Sequence, residues 1–374
     1  MVDTINPKIE TRDTAAFINH AAFSALDTYN QLAFLCLLGH LAPSSHNTQP
    51  WRFLINKQTL QIIMYLERKF VLPASDEAGR QAVISLGCAL ENIFIGAAYY
   101  GYTAAIDLAP IEKTDVLPAK DNQPSCVKIA TINFSHATPQ PELHSTVKAI
   151  FDRKVIRAEF DPTKTILEKD IAAIQQFADQ ETTQFHAVTD SLRRLGVAEF
   201  QAQADGFVIN SSKFSKELGD WLLPNDTDSL LGMPGIGFGL QDDEAARLHN
   251  GLVGAAALRP EDGLKFAASG KIFIEKSPLI GIITTKQDDP LHWIAAGRLF
   301  EKIFLFLTEQ NIQVAIHAGI TEVSLIKKIF SMTLGTTRHT TVLFRAGYVK
   351  NEADTHRPFS PRLPLSSVLL TDTP

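Results

Sequence analysis

The chain has 374 residues, a net charge of −6 and 45% apolar residues, enough for two ordinary domains or one large one and typical of a globular protein. The negative charge argues against an electrostatic grip on nucleic acid. No run of about 18 apolar residues stands out, and Met1 to Lys8 lack a basic segment followed by an apolar core, so neither a membrane span nor a leader is expected and a cytoplasmic location follows.

Helical periodicity fits 14–38. Residues 42–53 then read Ala-Pro-Ser-Ser-His-Asn-Thr-Gln-Pro-Trp-Arg-Phe. Pro43 and Pro50 bracket six polar residues and fix two φ angles, so this loop should be stiff. Its hydroxyls and carboxamides both donate and accept hydrogen bonds. That inventory suits a neutral heterocycle better than a phosphate or a metal, although a plain connector between helix and strand can have the same composition. Strand-like runs follow at 51–55 and 60–66. Residues 85–106 read as a largely buried helix running into a strand at 103–108. Periodicity is lost over 111–125, where Glu, Lys, Asp, Pro and Asn concentrate, and this stretch reads as a linker. A strand fits 127–134.

Asp152-Arg153-Lys154-Val155-Ile156-Arg157 then puts three cations within five residues, a pattern that also fits a solvated charged turn. Helices fit 166–179 and 191–221. Gly235-Ile-Gly237-Phe-Gly239 lacks the spacing of a dinucleotide fingerprint and reads, with Leu230, Met233 and Pro234, as a flexible loop of the kind that covers a ligand. A strand at 279–285, a helix at 289–310 and a strand at 313–316 lead to His317-Ala318-Gly319-Ile320. A helix at 323–330 and a strand at 342–348 precede the Pro-rich tail from Arg357 through Arg362 to Val368. Strands separated by helices point to an α/β or α+β fold. Cys36, Cys88 and Cys126 read as small buried hydrophobes. No spacing of His, Cys, Asp and Glu argues for a metal.

Segments 85–106 and 295–316 echo each other without a gap. They share Gly87/Gly297, Glu91/Glu301, Ile93/Ile303, Phe94/Phe304, Ala105/Ala315 and Ile106/Ile316, all at an offset of 210 residues. Two copies of one buried helix and its following strand suggest an internal repeat.

The string Pro43, Ser44, Ser45, Asn47, Gln49, Pro50, Trp51 resembles the flavin-contacting loop of the FMN-dependent nitroreductases, in particular the fused, double-length branch that includes the mycobacterial Acg-type proteins. The resemblance implies an α/β (α+β) fold of two tandem half-repeats, an intrachain pseudo-dimer with a central sheet flanked by helices. It divides the chain into a first half (1–120) with the loop, a linker and strand region (121–148), and a second half (149–374) with a lid insertion around 191–250. It implies that Pro43, Ser44, Ser45, His46, Asn47 and Gln49 meet the flavin, and that Arg153, Lys154, Arg157 and Arg362 hold the FMN phosphate. Arg357 is the alternative to Arg362, and Val155 departs from the serine usual in the basic motif. Backbone N–H groups of Ala318 and Gly319 would point at flavin N5. One FMN per chain at the seam of the halves, a monomer, a small-molecule substrate and NAD(P)H as donor complete the picture. The flavin carries the chemistry, so no catalytic side chain is required. The expected activity is reduction of a nitro, quinone or related acceptor; the alternative is an FMN storage protein with a closed site.

Overall fold

The structure, a computed structural model, describes residues 16–120, 123–254 and 260–374, with backbone only over 260–267. The elements in chain order are α1 (His20–Ser24), α2 (Thr28–His40), β1 (Trp51–Asn56), β2 (Gln61–Glu67), α3 (Arg80–Tyr100), β3 (Tyr102–Leu108), β4 (Cys126–His136), α4 (His144–Asp152) and α5 (Glu168–Gln176). There follow β5 (Thr183–Val188), α6 (Ser191–Asn210), α7 (Ser212–Trp221), β6 (Leu222–Leu223), β7 (Met233–Pro234), α8 (Asp242–Leu252), α9 (Pro260–Glu275) and β8 (Leu279–Thr285). The chain ends with α10 (Pro290–Glu309), β9 (Gln313–Ile316), α11 (Gly319–Glu322), α12 (Ser324–Thr333), β10 (His339–Gly347) and β11 (Leu369–Leu370). Mixed α/β architecture, with sheets flanked by helices, is what the sequence predicts.

Two expected helices are each divided. The helix expected at 14–38 starts twice: the Asn19 side chain caps α1, and Asp27 caps α2 by accepting from the Asn30 amide. A second N-cap needs a non-helical residue, and this interrupts the run. Its first residues, 14 and 15, lie outside the described residues, as does the Met1 to Lys8 segment. The helix expected at 191–221 breaks at Ser211, which is extended (φ −91°, ψ 114°). Helices α4, α8 and α9 and strand β5 were not anticipated from periodicity.

The chain divides into two compact units. The first comprises Met1–Arg153, Asp289–Glu309 and Pro361–Pro374. Its sheet has the order β11-β1-β2-β4-β3, antiparallel except that β11 joins β1 in parallel through Phe53 and Leu54. The second unit comprises Lys154–Asp288 and Gln310–Ser360. Its sheet has the order β5-β8-β10-β9 and is antiparallel throughout. Strand β8 is buried at every residue, against a core that includes Val197, Ala198, Ile274 and Phe330.

The two sheets share a topology. In both, the third strand in chain order lies at the edge, follows a long apolar helix, and pairs with the fourth strand, which returns to the centre. Ala105 and Ile106 of β3 and Ala315 and Ile316 of β9 therefore hold corresponding edge positions. The helices α3 and α10 pack together within the first unit. A Cβ on Gly87 would lie 2.4 Å from the Ile294 carbonyl oxygen, and a Cβ on Gly297 would lie 2.1 Å from that of Ile84. Residue 84 meets 297 as 294 meets 87, the reciprocal pattern of an isologous contact.

Helix α3 changes one expectation: by length and hydropathy it could cross a membrane, although 83% of its apolar window is buried inside the protein. Its partners α2 and α10 cover it, and core helices pass the same test. Cys36 and Cys88 are buried, but Cys126 is partly exposed, and all three thiols are free. Burial pushes all three thiols up.

Candidate functional site

The polar loop is a strained turn in the first unit. Ser45–Asn47 form one 3-10 turn, and His46, Asn47 and Gln49 have positive φ values of 47°, 56° and 51°. Such backbone costs of order 1–3 kcal/mol per residue and persists only where its surroundings over-determine it. Here the side chains of the loop and the tail supply that constraint. The Gln49 amide donates to Ser44 Oγ (3.0 Å), and Gln49 Oε1 accepts from the Leu363 amide (2.9 Å). Asn47 Nδ2 donates to the Pro361 carbonyl (3.1 Å), and Asn47 Oδ1 accepts from Arg362 Nη1 (2.8 Å). Ser45 Oγ donates to Gln81 Oε1 (2.6 Å). Pro43, Asn47 and Gln49 are buried, while Ser44, Ser45 and His46 are partly exposed. The partly exposed face of the loop is therefore Ser44–Ser45–His46.

Helix α2 ends at this loop, and its last carbonyls determine where the arginines go. Arg362 Nε donates to the His40 carbonyl (3.0 Å), and Nη2 to those of Leu41 (3.2 Å) and Ala42 (2.7 Å). Its Nη1 serves Asn47 Oδ1 and the Pro361 carbonyl. A guanidinium has five N–H donors, and all five are directed to the protein. Arg153 Nη2 also donates to the Leu41 carbonyl (2.5 Å), and its Nε pairs with Glu301 at 3.2 Å, with both side chains at most 2% exposed. Burial and the Arg153 charge pull the Arg362 guanidinium down to about 9, with Glu301 opposing them. Two of the three arginines expected on a phosphate, Arg153 and Arg362, thus cap a helix C-terminus, where unpaired carbonyls and the helix dipole favour cations. His40 completes the tie: Trp51 Nε1 donates to its Nδ1, and its Nε2 meets the Leu363 carbonyl, both at 2.8 Å. Arg52, the other cation beside the loop, pairs with Glu67.

The remaining predicted cations lie in the second unit. Lys154 Nζ donates to the carbonyls of Thr355 (3.1 Å) and Arg357 (2.8 Å) and sits 4.2 Å from the Phe359 ring centroid. Val155 bridges to Val314 beside it. Arg157 lies 4.4 Å over the Phe238 ring and reaches Met233 Sδ at 3.6 Å. Burial and the neighbouring Arg357 charge lower it to about 10. Arg357 is held by Asp354 and donates to the carbonyls of Arg157 (3.1 Å) and Gly237 (3.4 Å). The Gly235–Gly239 stretch makes close contacts at its two ends, while a Cβ on Gly237 would meet nothing within 4 Å. A Cβ on Gly235 would lie 2.4 Å from the Ala245 Cβ, and one on Gly239, 2.7 Å from Arg357 Nη2.

Strand β9 delivers His317, Ala318 and Gly319 to one end of the second sheet. The His317 amide donates to the Leu343 carbonyl (3.0 Å). The amides of Ala318 and Gly319, at the start of α11, have no acceptor among the described residues. Such N–H pairs attract electron-rich ligand atoms. Behind Gly319 stand Gln201 and Asp205 of α6; a Cβ there would lie 2.5 Å from Gln201 Nε2 and 2.9 Å from Asp205 Oδ1. Gln201 Nε2 donates to Asp205 Oδ1 (2.6 Å). Burial raises the Asp205 carboxyl to about 7, with the Gln201 hydrogen bond opposing.

Sequence reasoning missed Asp205, Gln201 and Arg345. Arg345 Nε donates to His317 Nε2 (2.9 Å) from the middle of β10. A lone arginine inside an apolar strand run, Val342 to Ala346, was the one available signal.

No family model matches the chain. Among curated proteins, the putative NAD(P)H nitroreductase Acg of Mycobacterium tuberculosis is 23% identical over 339 residues, 87% of this chain and 91% of its own. A second putative NAD(P)H nitroreductase of that organism is 24% identical over 332 residues, 88% of each chain. Among solved structures, the FMN-dependent nitroreductase NfnB from Mycobacterium smegmatis, in complex with NADPH, covers 62% of this chain and 99% of its own, at 16% identity and a TM-score of 0.40.

Proposed function

From the premise that this chain is a double-length, Acg-like member of the nitroreductase family, we propose that it is an FMN-binding oxidoreductase that takes reducing equivalents from NAD(P)H and passes them to a small organic acceptor of nitro or quinone type. The observation that carries this reading is similarity, over nearly nine-tenths of the chain, to proteins named as putative NAD(P)H nitroreductases. Bound FMN supplies the hydride and electron chemistry.

The protein's part is to bind, orient and bias charge. In the second unit, we assign the anionic end of the cofactor to Arg157 and Lys154, and a ring edge to the amides of Ala318 and Gly319. Those amides suit the group because they are unspent on the protein. In the first unit, Ser44, Ser45 and His46 are assigned to ligand recognition. Pro43, Asn47 and Gln49 are assigned to holding the turn, and Arg153 and Arg362 to holding α2 against it.

The test is anaerobic mixing of the purified, flavin-loaded protein with NADH and, separately, NADPH. Rapid bleaching of the oxidised flavin band followed by reoxidation on adding a quinone or nitroarene is expected. A flavin that stays oxidised with both donors would reject the enzyme reading and favour storage.

A further inference from the structure

Arg345 is 1% exposed. Its guanidinium lies between two aromatic rings, 4.3 Å from the Phe160 centroid and 4.9 Å from that of Phe273. Nε is spent on His317 Nε2. Nη1 is buried and has no hydrogen-bond acceptor among the described residues. No carboxylate pairs with it there either; the charges that act on it are Arg157 and Arg357, both of its own sign. Of those three arginines, Arg357 alone has a carboxylate partner among the described residues, Asp354.

A buried guanidinium without a counter-charge is costly, since desolvation is not offset. It cannot relieve that cost by losing its proton, because it stays charged even though burial brings it to about 9. His317 does not help. By accepting from Arg345 Nε it is fixed as the neutral ring, with its proton on Nδ1. Burial and the two arginines keep it well below its ordinary value. One acceptor group, negatively charged and able to reach Nη1, would remove the imbalance.

We infer that Arg345 is an anion-binding residue: its Nη1 edge and the Arg157 guanidinium together seat an oxyanion of phosphate or carboxylate type in the second unit. The rings of Phe160, Phe273 and Phe238 keep water off the two guanidinium groups and strengthen the attraction. Oxyanions suit the fork geometry of arginine, which bonds two oxygens at once. The assignment deepens the proposed function, because Arg157 carries the cofactor's anionic end in that reading. The missing counter-charge at Arg345 does not depend on a flavin.

The test uses the full chain and inorganic phosphate as the probe. Calorimetry and thermal unfolding would be run on the wild type, Arg345→Met and Arg345→Lys. Wild type should bind phosphate saturably and melt higher in its presence. R345M should bind at least tenfold more weakly, gain no thermal protection from phosphate, and melt no lower than wild type in phosphate-free buffer. R345K should fall between the two in phosphate affinity and serves if R345M fails to fold. Equal phosphate affinity in wild type and R345K, or no saturable binding by wild type, would overturn the inference. FMN that displaces phosphate where riboflavin does not identifies the seat with the cofactor's phosphate. Phosphate retained beside bound FMN identifies it with the anionic group of a second ligand. A colourless protein that takes up no FMN but binds phosphate through Arg345 would defeat the proposed function and leave this inference standing.

Discussion

The side chain of Arg362 serves five acceptors that lie 1 to 322 positions away in sequence. Arg362→Met strands the carbonyls of His40 and Ala42 and one Asn47 oxygen, while the Leu41 carbonyl keeps Arg153, and each buried orphan costs about 1–3 kcal/mol. A loss of roughly 3–5 kcal/mol in urea unfolding is expected, with a smaller loss for Arg362→Lys, which keeps the charge without the fork. Asp205 gives the pH dependence. Its folded pKa is raised from 3.8 to about 7, so the folded state holds the proton more tightly. Its contribution is fully present below pH 3.8 and is lost as the pH rises toward 7, on the order of 2–4 kcal/mol. Asp205→Asn should flatten the stability profile between pH 4 and 7; an unchanged slope in chemical denaturation would refute the assignment. The sequence showed which residues carry polar chemistry around 42–53 and 152–157. It did not show their partners, because Asn47, Gln49, Arg153 and Arg362 are used by backbone groups that only folding brings near.

The decisive contact between elements is the crossing of α3 and α10. Gly87 and Gly297 face each other there with Cα–Cβ directions aimed at backbone, not at movable side chains. Gly87→Ala and Gly297→Ala should each cost roughly 1–3 kcal/mol despite the better helix propensity of alanine. The two costs should be similar because the contact is reciprocal. A neutral result for either in urea unfolding would remove the close crossing. The helices themselves were legible from their unbroken apolar runs. The division of the first helix at Asp27 and the break at Ser211 were not, since periodicity continues across a cap that interrupts hydrogen bonding. Strand β11 was missed for a different reason: two residues have no period, and Leu369 and Leu370 become a strand only because β1 offers its edge.

For the molecule as a whole, the fused-repeat reading predicts that one chain does what two subunits do elsewhere. Sedimentation or light scattering should give a mass near 41.2 kDa, and FMN titration should saturate at about one per chain. A stable dimer with two equivalent flavins per chain would contradict it.

The sequence by itself determined the polar loop, the type of the long elements, and the six residue matches between 85–106 and 295–316 at an offset of 210, since all of these are written in composition and period. Tertiary structure alone decided which charges are spent. Arg153 and Arg362 read as cations in the sequence, and the fold directs them to carbonyls at the C-terminus of α2; Arg345 reads as part of an apolar strand, and its Nη1 has no acceptor among the described residues. The physical reason is that burial and hydrogen-bond partners are properties of neighbours in space, and a side chain's charge becomes chemistry only where nothing in the fold has already neutralised it.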